Sequence, residues 1–150
     1  MLINNIAIEI EGIDKAGKDT ILAYIATLSN FKYTMNSRGI LSQLVYADKF
    51  NRNYDYQLLY KPFIIFLDVD EKDHEIRCNL ANEIKINYSS DRELFLKYIK
   101  ILENNNITIL KYNTTKVTAY NISIDILDKL DKININDFIL EKPIIFKKGN

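Results

Sequence analysis

The chain of 150 residues carries 20 basic and 20 acidic side chains, a net charge of zero that gives no electrostatic footprint for nucleic acid or an anionic membrane. One cysteine, Cys78, and one histidine, His74, exclude an internal disulfide and a cysteine- or histidine-based metal cluster. Apolar content of 47% and charged content of 27% fit one globular domain over 1–150, with 133–150 as a C-terminal tail.

In chain order, residues 1–11 read as a buried strand, because Ile6, Ile8 and Ile10 are β-branched and close together. The stretch Gly12-Ile13-Asp14-Lys15-Ala16-Gly17-Lys18-Asp19-Thr20 follows, and a helix opens at Lys18 and runs to about Asn30. Its apolar stripe is Ile21, Leu22, Ile25 and Leu28. Strand, glycine loop, lysine and helix form the setting that a phosphate-binding loop requires. Gly12 and Gly17 permit backbone angles that let successive N–H groups turn inward around an anion. The helix start adds its dipole and its unpaired N–H groups. Gly12, Ala16, Gly17, Lys18, Asp19 and Thr20 are thus the expected donor-nucleotide residues, with Lys18 reaching over the loop to terminal phosphates. Asp19 stands where Ser or Thr normally binds magnesium.

Residues 31–36 read as a short second strand. Ser37-Arg38-Gly39 breaks the pattern and leads into a helix with Ile40, Leu41, Leu44 and Val45 on one face. The tyrosine-rich stretch 51–60 reads as a loop with irregular or helical turns, ended by Pro62. Residues 63–69 form a continuous apolar run that suits a central parallel strand covered on both faces. The stretch 70–85 reads as a helix with Ile76, Leu80 and Ile84 inward and His74 exposed. Ser90-Asp91-Arg92-Glu93 has capping-box spacing, so a helix starts there, turns Leu94, Tyr98, Ile101 and Leu102 inward and stops in Asn104-Asn105-Asn106. Residues 107–112 give the next strand. Val117, Tyr120, Ile124 and Leu127 mark the last helix, ending near Asp131. The tail holds Pro143-Ile144-Ile145-Phe146, which adds an edge strand or docks an apolar face. Four strands alternating with helices imply an α/β fold, a small mainly parallel sheet flanked by helices in three layers. Ligands of such sheets bind at the C-terminal strand ends. The loop after the first strand, Ser37-Arg38 after the second, and Asp68 and Asp70 after the third all lie there.

The stretch from Glu11 to Lys18 resembles the phosphate loop of thymidylate kinases, members of the P-loop nucleoside monophosphate kinase superfamily, with their glutamate-glycine-x-aspartate opening. Ser37-Arg38-Gly39-Ile40-Leu41-Ser42-Gln43-Leu44-Val45-Tyr46 is similar to that family's Asp-Arg-Tyr segment, with Arg38, Ser42 and Tyr46 in register. Lys61-Pro62 and the strand ending at Asp68-Val69-Asp70 look like its proline-strand-Leu-Asp-Val-Asp segment. The resemblance covers most of 6–131 in gapped form. It implies a P-loop kinase-like fold, an ATP donor with Mg2+, and nucleotide substrates. By this resemblance Lys15, Lys18 and Arg38 are the catalytic cations, and Asp14, Arg38, Ser42 and Tyr46 hold the acceptor. Phosphoryl transfer rewards such positioning of positive charge. Arg77 is a counterpart for the arginine that opens the family's lid, although Arg77 and Arg92 read from composition alone as surface helix residues.

Two departures stand out. Ser37 replaces the family's aspartate before the arginine while Asp19 replaces its loop serine or threonine, so the magnesium ligands are expected to be exchanged: carboxylate from Asp19, hydroxyl from Ser37. A Gly-Lys-Asp-Thr ending also occurs in some phage deoxynucleotide kinases, so Asp19 does not by itself exclude catalysis, and a viral or phage source is compatible with the resemblance. The chain between Thr20 and Ser37 is also too short for the insert that carries much of the family's acceptor wall. The leading expectation is transfer of the ATP γ-phosphoryl group to a deoxynucleotide such as dTMP. Its alternative is a degenerate, inactive homologue kept as a binding or structural protein, and a P-loop NTPase comes third. The remaining expectations are no nucleic-acid or membrane partner, a homodimer through surface bared by the missing insert, and a cytoplasmic location (the host's, for a viral protein).

Overall fold

The computed structural model describes residues 6–83 and 87–149. Its elements are β1 (Ile8–Glu11), α1 (Lys18–Leu28), β2 (Met35–Ser37), α2 (Ile40–Lys49), β3 (Tyr54–Tyr60), β4 (Phe63–Asp68), α3 (Glu71–Leu80), α4 (Tyr88–Asn104), β5 (Ile109–Asn113), α5 (Ala119–Asp131), a 3-10 turn (Ile135–Phe138) and β6 (Ile139–Lys148). Four of the strands form a parallel sheet in the order β2-β1-β4-β5. The central pair explains its own composition. In β4 every residue from Phe63 to Leu67 is buried, as a parallel strand covered on both faces requires. α1 packs with α5, and α2 packs with α4. Ile21, Ile25, Ile122, Ile126 and Leu130 from the first pair are buried, as are Leu41, Leu44, Val45, Phe95, Ile99 and Leu102 from the second. This is a three-layer α/β fold with helices flanking a four-stranded parallel sheet. Among the described residues no helix is long and apolar enough to cross a membrane.

The stretch 51–60 departs from the loop expected there. Tyr54–Tyr60 is a strand, and it pairs antiparallel with β6 in a separate two-stranded sheet. Tyr54, Tyr56 and Leu58 are half-buried while Asp55, Gln57 and Leu59 are exposed, the two-residue period of a strand with one covered face. The tail therefore adds no edge to the parallel sheet; it builds a hairpin-like ribbon with β3, anchored by buried Phe146 opposite Tyr56.

Two helices turn a different face inward from the one their apolar residues mark. In α3 the buried residues are His74 and Cys78, while Ile76 is 48% and Leu80 81% exposed; Ile84 lies outside the described residues. His74 is thus a buried residue, not the exposed one expected. In α5 the buried line is Ile122, Ser123, Ile126 and Leu130, and Val117, Tyr120 and Ile124 face out. Both apolar lines of α5 have helical spacing, and packing against α1 chooses between them. α4 starts at Tyr88 after Asn87, two residues ahead of the capping box. The Ser90 hydroxyl donates to Asn87 O rather than accepting a backbone N–H.

Candidate functional site

The loop after β1 is shaped by its two glycines. Gly12 sits at φ +149, and a Cβ there would lie 2.5 Å from Leu67 O of β4, so a side chain has no room. The Ile13 carbonyl accepts from Ala16 N at 3.2 Å, closing a turn in which Lys15 takes the left-handed φ of +62. Gly17, at φ +100, is the residue before α1. Left-handed residues in a tight turn direct backbone N–H groups to one side and make an anion cradle. The carbonyls on the outer side are held away from it. Thr114 Oγ1, just past β5, donates to Ala16 O at 2.8 Å. Arg77 Nη1 of α3 donates to Lys15 O at 2.9 Å and to Thr114 Oγ1 at 3.0 Å. Lys18 is buried and donates from Nζ to Gly12 O (2.8 Å) and Ile13 O (2.7 Å). Burial pulls its pKa down to about 8; the charge of Arg38 adds to this, while Asp14, Glu11 and Asp19 oppose it.

On the opposite side the segment 37–42 is positioned by two acids of β1. Glu11 accepts from Gly39 N (2.9 Å), Ser42 N (2.6 Å) and the Ser42 hydroxyl (2.7 Å), and Glu9 accepts from Ile40 N (3.1 Å). Gly39 precedes α2 and has no side chain to cap it, so these carboxylates satisfy the orphan N–H groups from the sheet and face the positive helix end. Burial raises the pKa of Glu11, against the Ser42 and Gly39 bonds that lower it. It pushes Glu9 up to about 7 against the bond from Ile40, with Glu11 adding to the rise. Arg38 stands at φ +90, an uncommon angle for a side-chain-bearing residue, and its N–H donates to Ile10 O at 2.9 Å. Its guanidinium lies 3.4 Å from Asp14 Oδ1 and 5.3 Å over the Tyr46 ring.

One cavity of about 630 Å³ unites most of the expected residues. Asp14, Lys15, Gly17, Lys18, Asp19 and Thr20 line it from the loop and α1, Ser37 and Arg38 from the β2 end, and Arg77 and Thr114 from beyond. Gly12 and Ala16 are buried in the loop. Lys15 Nζ is turned to Glu83, at 2.9 Å. Ser42 and Tyr46 stand apart from this cavity and border a neighbouring one of about 330 Å³, to which Arg38 also belongs. Within it the Ser42 proton is already given to Glu11.

For magnesium the donor set fits. Asp19, Thr20 and Ser37 line the same cavity, exposed, as oxygen ligands of the type a hard cation takes. Among the described residues no group of three His, Cys, Asp or Glu side chains could hold a metal by itself. That suits an ion carried mainly by phosphate and water. Asp68 is not available for such a role. Arg92, expected as a plain surface residue, grips it with Nε at 2.9 Å from Oδ1 and Nη2 at 2.7 Å from Oδ2. Asp70 accepts from Asn113 Nδ2 at 2.9 Å.

Sequence reasoning missed Thr114 and the capping role of Glu9 and Glu11. Acids at alternating positions of an apolar strand were a readable sign, since buried carboxylates need partners. Thr114 directly follows a parallel strand, at the end where ligands bind.

Neither a protein-family model nor a curated protein sequence matches this chain. Among solved structures, the YorR protein of Bacillus subtilis, determined in complex with phosphorylated GDP, is similar with a TM-score of 0.59. The two are 14% identical, and the match covers 84% of this chain and 96% of that one. The likeness is one of fold.

Proposed function

We propose that the chain is an ATP-dependent nucleotide kinase that transfers the γ-phosphoryl group to a deoxynucleoside monophosphate such as dTMP. The observation that carries this reading is the single cavity bordered by the Gly17-Lys18 turn on one side and Arg38 on the other. In it the loop N–H groups and Lys18 would bind the donor phosphates, and Arg38 the acceptor phosphate. Phosphoryl transfer needs such in-line positioning and little covalent help. Asp19, Ser37 and Thr20 would hold Mg2+, which would supply positive charge against the phosphates. Lys15 has Glu83 as its partner in the free protein and would exchange that contact for the transferred group. The phosphorylated GDP bound to YorR supports a nucleotide ligand for this fold. A binding protein without turnover is the second reading, favoured by Lys18 spending its ammonium on Gly12 O and Ile13 O.

Titration calorimetry with ATP and Mg2+, followed by an ADP-release assay with each of the deoxynucleoside monophosphates, separates the readings. The kinase reading expects ATP binding and ADP release stimulated by one acceptor. Binding without stimulated release selects the second reading, and no nucleotide binding sinks both.

A further inference from the structure

We propose that the acceptor monophosphate lies in the cavity between α2 and β3, its base against Tyr46 and Tyr56 and its phosphate shared between Arg38 and Arg52. The inference rests on the kinase reading above and assigns a site that the missing insert had left open.

The cavity measures about 330 Å³, the small end of the range for ligand sites. Arg38, Gln43, Tyr46, Ala47, Arg52 and Tyr56 line it, and no acid does. Two guanidinium groups therefore face it without a carboxylate among the lining residues, although Arg38 also reaches Asp14 outside it at 3.4 Å. Arg38 also borders the phosphate-loop cavity, so a phosphate on Arg38 stands where the two spaces meet. Among the described residues Arg52 has no carboxylate partner; its guanidinium rests 5.1 Å over the Phe50 ring. Its backbone is fixed, with Arg52 N donating to Ala47 O at 2.7 Å. Tyr46 is braced edge-on by Phe95 at 6.4 Å and stacked with Phe50 at 6.3 Å. Tyr56 is stacked on Tyr54 at 5.1 Å and paired across the ribbon with buried Phe146. Aromatic rings that are already braced bind a planar base at little cost in side-chain entropy. Gln43 adds one amide donor and acceptor at the same wall for the base edge.

The competing space, about 440 Å³ and also bordered by Arg38 and Tyr46, has the opposite character. Asp14, Glu83 and Asp91 line it against Arg38 and Lys49, and Lys49 is already paired with Asp91 at 2.9 Å. A monophosphate carries close to two negative charges at neutral pH. It favours the wall with two cations and no acid. The C-terminal ribbon thus supplies a replacement wall: β6 holds β3 in place, and β3 presents Tyr56 beside α2.

The test is direct binding of dTMP, dCMP, dAMP and dGMP to the whole chain, measured by calorimetry alongside ATP binding. Arg52→Gln, an exposed change, should weaken the preferred monophosphate about tenfold and leave ATP within about twofold. Tyr56→Leu should weaken it about tenfold while Tyr56→Phe binds as the wild type does. Asp91→Asn, in the competing space, should leave it unchanged. The inference is overturned if the wild type binds no monophosphate, if Arg52→Gln and Tyr56→Leu bind it normally with unaltered melting temperatures, or if Asp91→Asn carries the loss. Binding that depends on Arg52 and Tyr56 without phosphoryl transfer upholds this site and removes only the kinase reading.

Discussion

Around Gly12 the backbone is shaped by a close approach to Leu67 O and by the side chains of Lys18, Arg77 and Thr114, none of them an acid, whereas around Arg38 it is shaped by two carboxylates. The loop passes under Leu67 O with no space for a Cβ, and its carbonyls are tied to α3 and to the segment after β5. The start of α2 instead hangs from Glu9 and Glu11, whose pKa values are both raised by burial. Geometry held by close backbone packing fails all at once when altered and is indifferent to pH. Geometry held by titratable side chains fails by degrees and changes with pH. Since one region holds the donor phosphates and the other the acceptor arginine in our reading, the two halves of the site should respond differently to the same perturbations.

The strongest test exchanges each region's glycine for alanine. Gly12→Ala should cost about 4 kcal/mol in urea unfolding, because the added carbon meets a backbone oxygen of the central strand at a φ that alanine resists. Gly39→Ala meets only the Glu9 carboxylate, the far end of a side chain that can turn aside at the loss of its bond from Ile40 N, and should cost about 1 kcal/mol. Equal losses would break the contrast.

Next in size is the pH response of the carboxylate side. Glu9 titrates at about 7 in the folded chain against 4.5 for an ordinary glutamate. Between those values the native state keeps a proton that the unfolded state has lost. Stability is therefore full below pH 4.5, falls as pH rises, and levels off above 7. Glu9→Gln should flatten that slope and leave the protein about 3 kcal/mol more stable than the wild type at pH 8, with little difference at pH 4. Melting curves across this range decide it. Glu11, also raised by burial, keeps a part of the slope, and a slope undiminished by the substitution would assign it elsewhere.

On the donor side the readout is ATP affinity. Lys18→Met keeps the buried stem and removes the ammonium. It should raise the ATP Kd about a hundredfold, close to 2.7 kcal/mol. Affinity also falls with pH here, for a reason opposite in chemistry to that of Glu9. Lys18 in the free chain titrates at about 8, and phosphate binds its charged form. Above that pH, binding must first take up a proton, so Kd should rise as pH climbs past 8 and hold steady below it. Calorimetry at pH 8.5 in buffers of differing ionisation heat should detect the uptake. No uptake would mean that Lys18 is charged throughout.

Much of this was legible in the sequence, and what was not has a physical reason. The phosphate loop, β4 and the parallel order are local patterns: glycine spacing, an unbroken apolar run, strands alternating with helices. Tyr54 to Tyr60 also alternates, yet its partner β6 begins at Ile139, and a ribbon of two strands announces itself in neither segment alone. The inward faces of α3 and α5 were misread because apolar content and burial part company. In α3, His74 and Cys78 outcompete Ile76 and Leu80 through the place the helix takes beside α4. Of the expected site residues, Asp14, Lys18, Asp19, Ser37 and Arg38 line one cavity. Arg52 and Tyr56 could not be foreseen, since nothing in 51–60 shows that a distant tail will turn it toward α2.

The smallest effect falls on Thr114, which with Lys18 and Arg77 is one of three side chains that donate to the loop's carbonyls. Thr114 Oγ1 gives its proton to Ala16 O and accepts from Arg77 Nη1. Thr114→Val keeps the shape and removes these bonds and the hydroxyl's 3.2 Å contact with Asp68 O, leaving Ala16 O without that donor, at a cost of about 1 kcal/mol. Arg77 keeps Asp73 Oδ2 at 2.6 Å and Lys15 O, so the loop should loosen without collapsing. ATP affinity should fall about threefold to fivefold. Thr114→Ser restores the hydroxyl and should restore the affinity. If the valine variant loses stability but binds ATP as tightly as the serine variant, the glycines, Arg77 and Lys18 hold the cradle without Thr114.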